Sequence, residues 1–137
     1  AEDKLGVRPS VSQFVIPLGA TINMNGTALY QAVATIFLAQ VYGIDLSMGS
    51  MALVVAMAVG ASIGSPATPG VGIVILAMVL QTVGIPHSGI ALIMGVDRIL
   101  DMCRTAINVT GDLVTCRLME NLAGKRLPPE PVPEETS

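Results

Sequence analysis

The sequence predicts an all-α membrane protein built from a broken transmembrane helix, a re-entrant helical hairpin and an amphipathic transmembrane helix. Three observations predict it. The 137 residues are 52% hydrophobic and only 12% charged, against roughly a quarter charged in ordinary soluble domains. From Pro9 to Val96 the only formally charged side chain is Asp45, with His87, Tyr30 and Tyr42 the other titratable groups; a soluble monomer does not keep so much surface free of charge. Two long apolar stretches are interrupted near their centres, one by Asn23-Met24-Asn25-Gly26-Thr27 and one by Gly64-Ser65-Pro66-Ala67-Thr68-Pro69-Gly70.

Residues 1–10 (AEDKLGVRPS) form a polar lead-in, without the apolar core of a signal peptide. The chain also begins without Met, which predicts a fragment or a processed product. Residues 11–41 are apolar and long enough to cross ~30 Å of hydrocarbon at ~20 residues per span. The Asn-rich centre disfavours helix, because Asn competes for backbone hydrogen bonds and Gly costs backbone entropy. The expectation is therefore two half-helices, Val11–Ile22 and Thr27–Val41, with a kink at Pro17. Irregular backbone at membrane depth is tolerated only inside protein or along a cavity.

After a loop at 42–49, residues 50–83 are apolar again, but two prolines and two glycines at the centre end any helix there. Flanking arms of about 14 residues would reach ~21 Å, too short to span, so a re-entrant hairpin is expected. A second short loop leads to a last helix over 89–124, and the Pro/Glu-rich residues 125–137 are expected to be a disordered tail. Lys4 and Arg8 lie at one end and Arg117, Lys125 and Arg126 at the other, with no Lys or Arg in either loop, which by the positive-inside rule places both termini in the cytoplasm.

The last helix carries the polar groups. Asp97, Asp101, Arg104, Asn108 and Asp112 fall within an arc of roughly 80° at ~100° per residue, with Thr105 at its edge. Ile99, Leu100, Met102, Cys103, Ala106 and Ile107 form the opposite side. Charges at bilayer depth cost several kcal/mol unless paired, which makes these residues candidates for function. Interrupted segments in paired positions are, in turn, the pointer to a transporter's central site. Cys103 and Cys116 lie 13 residues apart on one helix, without metal-ligand spacing, and are expected to pack. The eight Met residues are scattered packing groups. No nucleophile–base pair speaks for an enzyme.

In order and spacing, PLGATINMNGTALY, ASIGSPATPGVG and DRILDMCRTAINVTGD resemble the C-terminal part of the sodium-coupled glutamate/aspartate transporters, over roughly Gln13 to Asn121. The resemblance implies the seventh helix, second hairpin and eighth helix of an eight-helix, two-hairpin protein that works as a homotrimer. It also implies an acidic amino acid as substrate, sodium as coupling ion, no organic cofactor, lipid as surroundings, a plasma or bacterial inner membrane location, and no role for nucleic acid. Arg104 matches the arginine that pairs with the substrate's side-chain carboxylate, a task suited to a planar guanidinium. Asp101 matches the acid that holds the amino group, with Thr105, Asn108, Met24, Thr27, Thr68 and Gly72 around the same substrate. Asn23, Asn108, Asp112 and the carbonyl region of Gly19 match one sodium site. Thr21, Ser62, Ile63 and Ser65 match a second, made largely of carbonyls, as a hard cation prefers.

Two departures stand out. Asn25 occupies a position where the family's motif has Asp, which supports a third sodium site there; the neutral amide offers one charge fewer to a cation. Pro66, Ala67 and Thr68 replace a small-Gly-aliphatic run at the tip that meets the substrate's main-chain carboxylate. Asp97 fits a supporting place in the polar network. The leading expectation is sodium-coupled symport of an acidic amino acid by the whole protein. Proton coupling and a truncated, non-transporting membrane subunit are the alternatives.

Overall fold

One helix lies at the centre of the chain and three others pack against it. In the computed structural model the described residues are 1–65, 68 and 70–123, and they form helices and turns without a strand. The helices are α1 (Glu2–Leu5), α2 (Pro9–Ile22), α3 (Asn25–Val41), α4 (Met48–Ser62), α5 (Val71–Thr82), α6 (Ile90–Met94) and α7 (Asp97–Ala123). The central one is α3, against which α4, α5 and α7 pack, while α2 packs along α7.

Local chemistry explains most boundaries. Pro9 opens α2 at a position where its missing N–H is not needed. Asn23 (φ −94, ψ 62) and Met24 (φ −95, ψ 48) leave the helical region between α2 and α3. Ser47 caps α4 by accepting from the Ser50 N–H at 3.1 Å. At the far end of α4, Gly64 turns the chain at φ +76, and Gly70 stands at φ +87 just before α5, a region that favours glycine.

The seam of α3 with α5 is apolar. Leu38, Leu76 and Leu80 are fully covered there, beside Tyr30, Ala34, Ile85 and Ile93. Truncating one such Leu to Ala would leave a cavity costing about 2–5 kcal/mol. Val54, Ile75 and Val79 join α4 to α5. At the other end Val7, Val11, Val15 and Cys116 join the lead-in and α2 to α7. Arg8 completes that end, donating to Glu120 from its backbone N–H at 3.1 Å and its Nε at 2.9 Å, and the Ser12 hydroxyl bonds the Glu2 carboxylate.

The last helical stretch differs from the single helix expected over 89–124. A 3₁₀ turn at His87–Gly89 leads into α6, and Gly95 and Val96 separate α6 from α7. The Val96 N–H bonds the Ile93 carbonyl at 3.0 Å, three residues back, so the chain tightens where Gly95 weakens the helix. Asp97 then opens α7, where a carboxylate complements the positive end of the helix dipole. The lead-in also contains helix α1, and α2, α3 and α4 each begin two residues earlier than expected, so that the break narrows to Asn23 and Met24 once Asn108 of α7 accepts the Gly26 N–H. Residues 124–137, which include the expected tail, and Pro66, Ala67 and Pro69 of the hairpin centre lie outside the described residues.

Among the described residues no single helix is long and apolar enough to cross a membrane. At ~1.5 Å per residue α4 and α5 reach ~22 and ~18 Å, and α7, at ~40 Å, has the length but carries the charges. Large apolar side chains nevertheless face outwards from the long helices: Phe14, Val33, Val55, Val74, Ile99 and Met102 are each more than half exposed.

Candidate functional site

Helix α7 runs antiparallel to α2 and α3, and its polar face meets them one turn at a time. Asp97 accepts a 3.4 Å hydrogen bond from the Tyr30 hydroxyl. Farther along, Asn108 Oδ1 accepts the Gly26 N–H at 2.7 Å, and Asp112 Oδ1 accepts from Asn23 Nδ2 at 2.9 Å. Asn108 therefore caps α3 from another helix, satisfying an amide that the break would leave without an intrahelical partner. Its own Nδ2 lies 3.3 Å from both the Thr27 hydroxyl and the Met24 sulfur.

Two glycines permit this approach. A Cβ at Gly26 would collide with the Arg104 carbonyl, and one at Gly19 with the Asp112 carboxylate. The backbone of α7 thus rests directly on the start of α3, and the Asp112 side chain on the last turn of α2.

The break, α7, the hairpin tip and the start of α5 line a cavity of about 240 Å³. Gly19, Asn23, Met24 and Thr27 line it from the broken helix, and Ser65, Thr68 and Gly72 from the hairpin. Asp101, Arg104, Thr105, Asn108 and Asp112 line it from α7, with Ala20, Val71 and Val109 filling the gaps.

Arg104 is the buried cation of this cavity, only 7% exposed. One nitrogen, Nη2, is paired with Asp101. Nη1 is buried and has no hydrogen-bond partner among the described residues. The guanidinium carbon stands 4.8 Å from the Tyr30 ring centre, a cation–π distance. Gly72 is pressed against the same guanidinium, so that a Cβ there would overlap it. Asp101 and Arg104 neutralise each other, while Asp112, 8% exposed, has the Asn23 amide beside it and no cationic partner among the described residues.

The remaining expected residues sit outside the cavity. Thr21 turns its hydroxyl to the Leu18 carbonyl at 3.0 Å, while its own carbonyl accepts the Gly64 N–H at 2.7 Å. Ser62 is buried with its hydroxyl on the Val59 carbonyl, and the Ile63 side chain is exposed. These residues gather where the end of α2 meets the end of α4, and of that group Ser65 alone lines the cavity. Asn25 lies behind Asn23, donating to its Oδ1 at 2.7 Å, and faces a separate shallow pocket with Thr110, Gly111 and Thr115.

Sequence reasoning missed Tyr30 and Gln31. Gln31 is fully buried and donates to the Gly72 carbonyl at 2.8 Å, tying the hairpin to α3. The signal was present. A Gln inside an apolar helical run, one turn beyond Thr27, shares the face that meets the site.

The chain is similar in sequence to known proteins over most of its length. The model of the sodium:dicarboxylate symporter family matches residues 1–122. The chain is 46% identical over 127 residues to excitatory amino acid transporter 3 of Mus musculus, covering 93% of this chain and 24% of that protein. It is 48% identical over 126 residues to a putative sodium-dependent excitatory amino acid transporter of Caenorhabditis elegans, covering 92% and 25%. A proton/sodium-glutamate symport protein of Bacillus subtilis is 43% identical over 122 residues, covering 89% and 28%. The chain spans about a quarter of the length of these relatives.

Proposed function

The chain belongs to the sodium:dicarboxylate symporter family, and we propose that it supplies the substrate and coupling-ion site of a membrane symporter for an acidic amino acid. The observation that carries this reading is Arg104, a nearly buried guanidinium lining a cavity of about 240 Å³, with Nη2 on Asp101 and Nη1 packed against Gly72 without a hydrogen-bond partner among the described residues. Burying an unpaired N–H of a cation is costly, and a carboxylate is the ligand that satisfies a guanidinium in two parallel bonds. Asp101, next to it, would receive the substrate's ammonium group. An acidic amino acid therefore brings both charges of the pair a partner of its own.

Sodium is the coupling ion in this reading. Asp112 is a nearly buried carboxylate without a cationic neighbour among the described residues, close to the amides of Asn23 and Asn108 and the last turn of α2. A site of one carboxylate and several neutral oxygens suits a hard monovalent ion. The Thr21, Ser62, Ile63 and Ser65 group would form a second such site from backbone carbonyls where α2 and α4 end. The names of the relatives support acidic amino acids and sodium, and the Bacillus subtilis relative's name also keeps proton coupling as a second reading.

In the bilayer, α2 and α3 would together make one crossing and α7 the other. The arms α4 and α5 would enter and return as a re-entrant hairpin, with both termini cytoplasmic. The outward apolar side chains would meet lipid or the rest of the polypeptide, and the whole protein would assemble as a homotrimer. The test is uptake of labelled aspartate and glutamate by the reconstituted full-length protein, with Arg104→Cys beside the wild type. Uptake by the wild type should need a sodium gradient, and the variant should lose it. Unchanged affinity for both substrates in Arg104→Cys would reject the role given to Arg104, and uptake driven equally by a pH gradient without sodium would favour protons.

A further inference from the structure

Behind the candidate ion site a second amide governs the first. Asp112 can only accept hydrogen bonds when ionised, so Asn23 must turn its NH2 towards it, as the 2.9 Å contact shows. That orientation sends Asn23 Oδ1 the other way, and there it accepts the Asn25 NH2 at 2.7 Å. Both amides lie over the bare backbone of Gly111, where a Cβ would come within 2.7 Å of Asn23 Nδ2 and 3.2 Å of Asn25 Nδ2. The result is a relay, Asn25 to Asn23 to Asp112, with each donor pointing towards the carboxylate.

The geometry points to Asn25 as a positioning residue that holds the Asp112 site in a form able to stand without a cation. While the relay is intact, Asn23 gives the carboxylate a proton donor and keeps its own oxygen, the atom a cation would use, turned away and occupied. An arriving ion must break the Asn25–Asn23 bond before Asn23 can present that oxygen. Asn25 itself lies outside the cavity, so it acts through Asn23 and not as a ligand. This inference rests on the symport reading above and adds to it a residue that sets how strongly sodium is held.

Substitution at residue 25 should move affinity in a direction that mere loss of structure would not. Asn25→Ala removes the donor and frees Asn23 Oδ1, so half-saturation by sodium should fall about fivefold, the worth of one hydrogen bond. Asn25→Asp should shift it further, by roughly tenfold or more, because two carboxylates then compete for one NH2 and a cation between them relieves the conflict. The experiment is a sodium titration of the reconstituted full-length protein without substrate, read as thermal stabilisation, with sodium-dependent uptake measured in parallel. Tighter sodium binding in Asn25→Ala supports the relay, and this variant decides the matter if Asn25→Asp does not fold. Sodium binding that is unchanged or weaker in Asn25→Ala, while the wild type remains sodium-dependent, overturns it. A wild type that responds to sodium in neither measurement removes the symport reading, and the relay's role with it.

Discussion

The chain is interrupted twice around one cavity, and the two interruptions are held by different means. At Asn23 and Met24 the loose backbone is gripped by side chains from α7: Asn108 caps Gly26 and Asp112 holds Asn23. Between α4 and α5 the arms rest on α3 through apolar packing, and the described hydrogen bonds to α2 and α3 are two, both through hairpin backbone: Gly64 to the Thr21 carbonyl and Gln31 to the Gly72 carbonyl. The first interruption is thus fastened to the helix that carries the charges, and its geometry follows α7. The second is tied lightly and touches the charges by contact alone, through Gly72 on Arg104. A cavity built this way keeps its charged groups fixed by hydrogen bonds while its hairpin wall is held mainly by apolar packing.

The largest expected effect tests that contrast through two glycines. At Gly26 an added methyl would strike the backbone carbonyl of Arg104, which cannot swing aside. Gly26→Ala should therefore destabilise the protein by about 1–3 kcal/mol, as overpacking does, and separate α3 from α7. At Gly72 the obstacle is the end of a side chain. Gly72→Ala should spare most of the stability but displace the guanidinium, lowering acidic amino acid affinity by about 100-fold, as when a charged hydrogen bond is lost. Thermal unfolding and substrate titration of both variants separate the cases; equal stability losses would mean that the two interruptions are held alike.

Asp112→Asn should come next. It keeps the shape of the site and removes the charge that no described cation balances, so half-saturating sodium should rise by about tenfold or more while the fold survives. Sodium titration of uptake measures it, and an unchanged dependence would move the ion elsewhere.

A smaller effect is expected from Gln31→Met, which keeps the volume of the buried side chain and removes its bond to Gly72. The loss should be about 1 kcal/mol, the net worth of one buried hydrogen bond, with the exposure of α5 to hydrogen exchange rising more than that of α3. Protection lost equally in both helices would show that this bond does not distinguish the hairpin from the centre.

The smallest effect should come from the end remote from the cavity. Glu120→Gln weakens the partly buried link to Arg8, whose side chains are 20% and 15% exposed. The cost should be about 0.5–1 kcal/mol of stability, with sodium and substrate affinities unchanged. A shift in either affinity would mean that the lead-in is coupled to the site.

Much of this arrangement could be read from residue types alone. Helix throughout followed from apolar runs long enough to enter a bilayer, and the family from three motifs in fixed order. The polar face of α7 followed from the recurrence of Asp101, Arg104, Asn108 and Asp112, because side chains that far apart on a helix must share a side. What sequence could not reach was the partner of each group across space. Tyr30 under the Arg104 guanidinium, Gln31 on the Gly72 carbonyl and Asn108 capping Gly26 join residues 41 to 82 positions apart or rest on a ring contact. No local preference encodes such pairings, since they depend on which helices pack and in what register. The same holds for Asn25. Its type marked it as neutral where relatives are expected to be acidic, and its partner Asn23 is two residues away, but only the packing of α2 on α7 brought Asn23 to Asp112, 89 positions on. Propensity and periodicity are local properties of the chain, so they determined the elements and the polar face. Contact between elements is settled by close packing of the whole, and that decided which polar atoms meet.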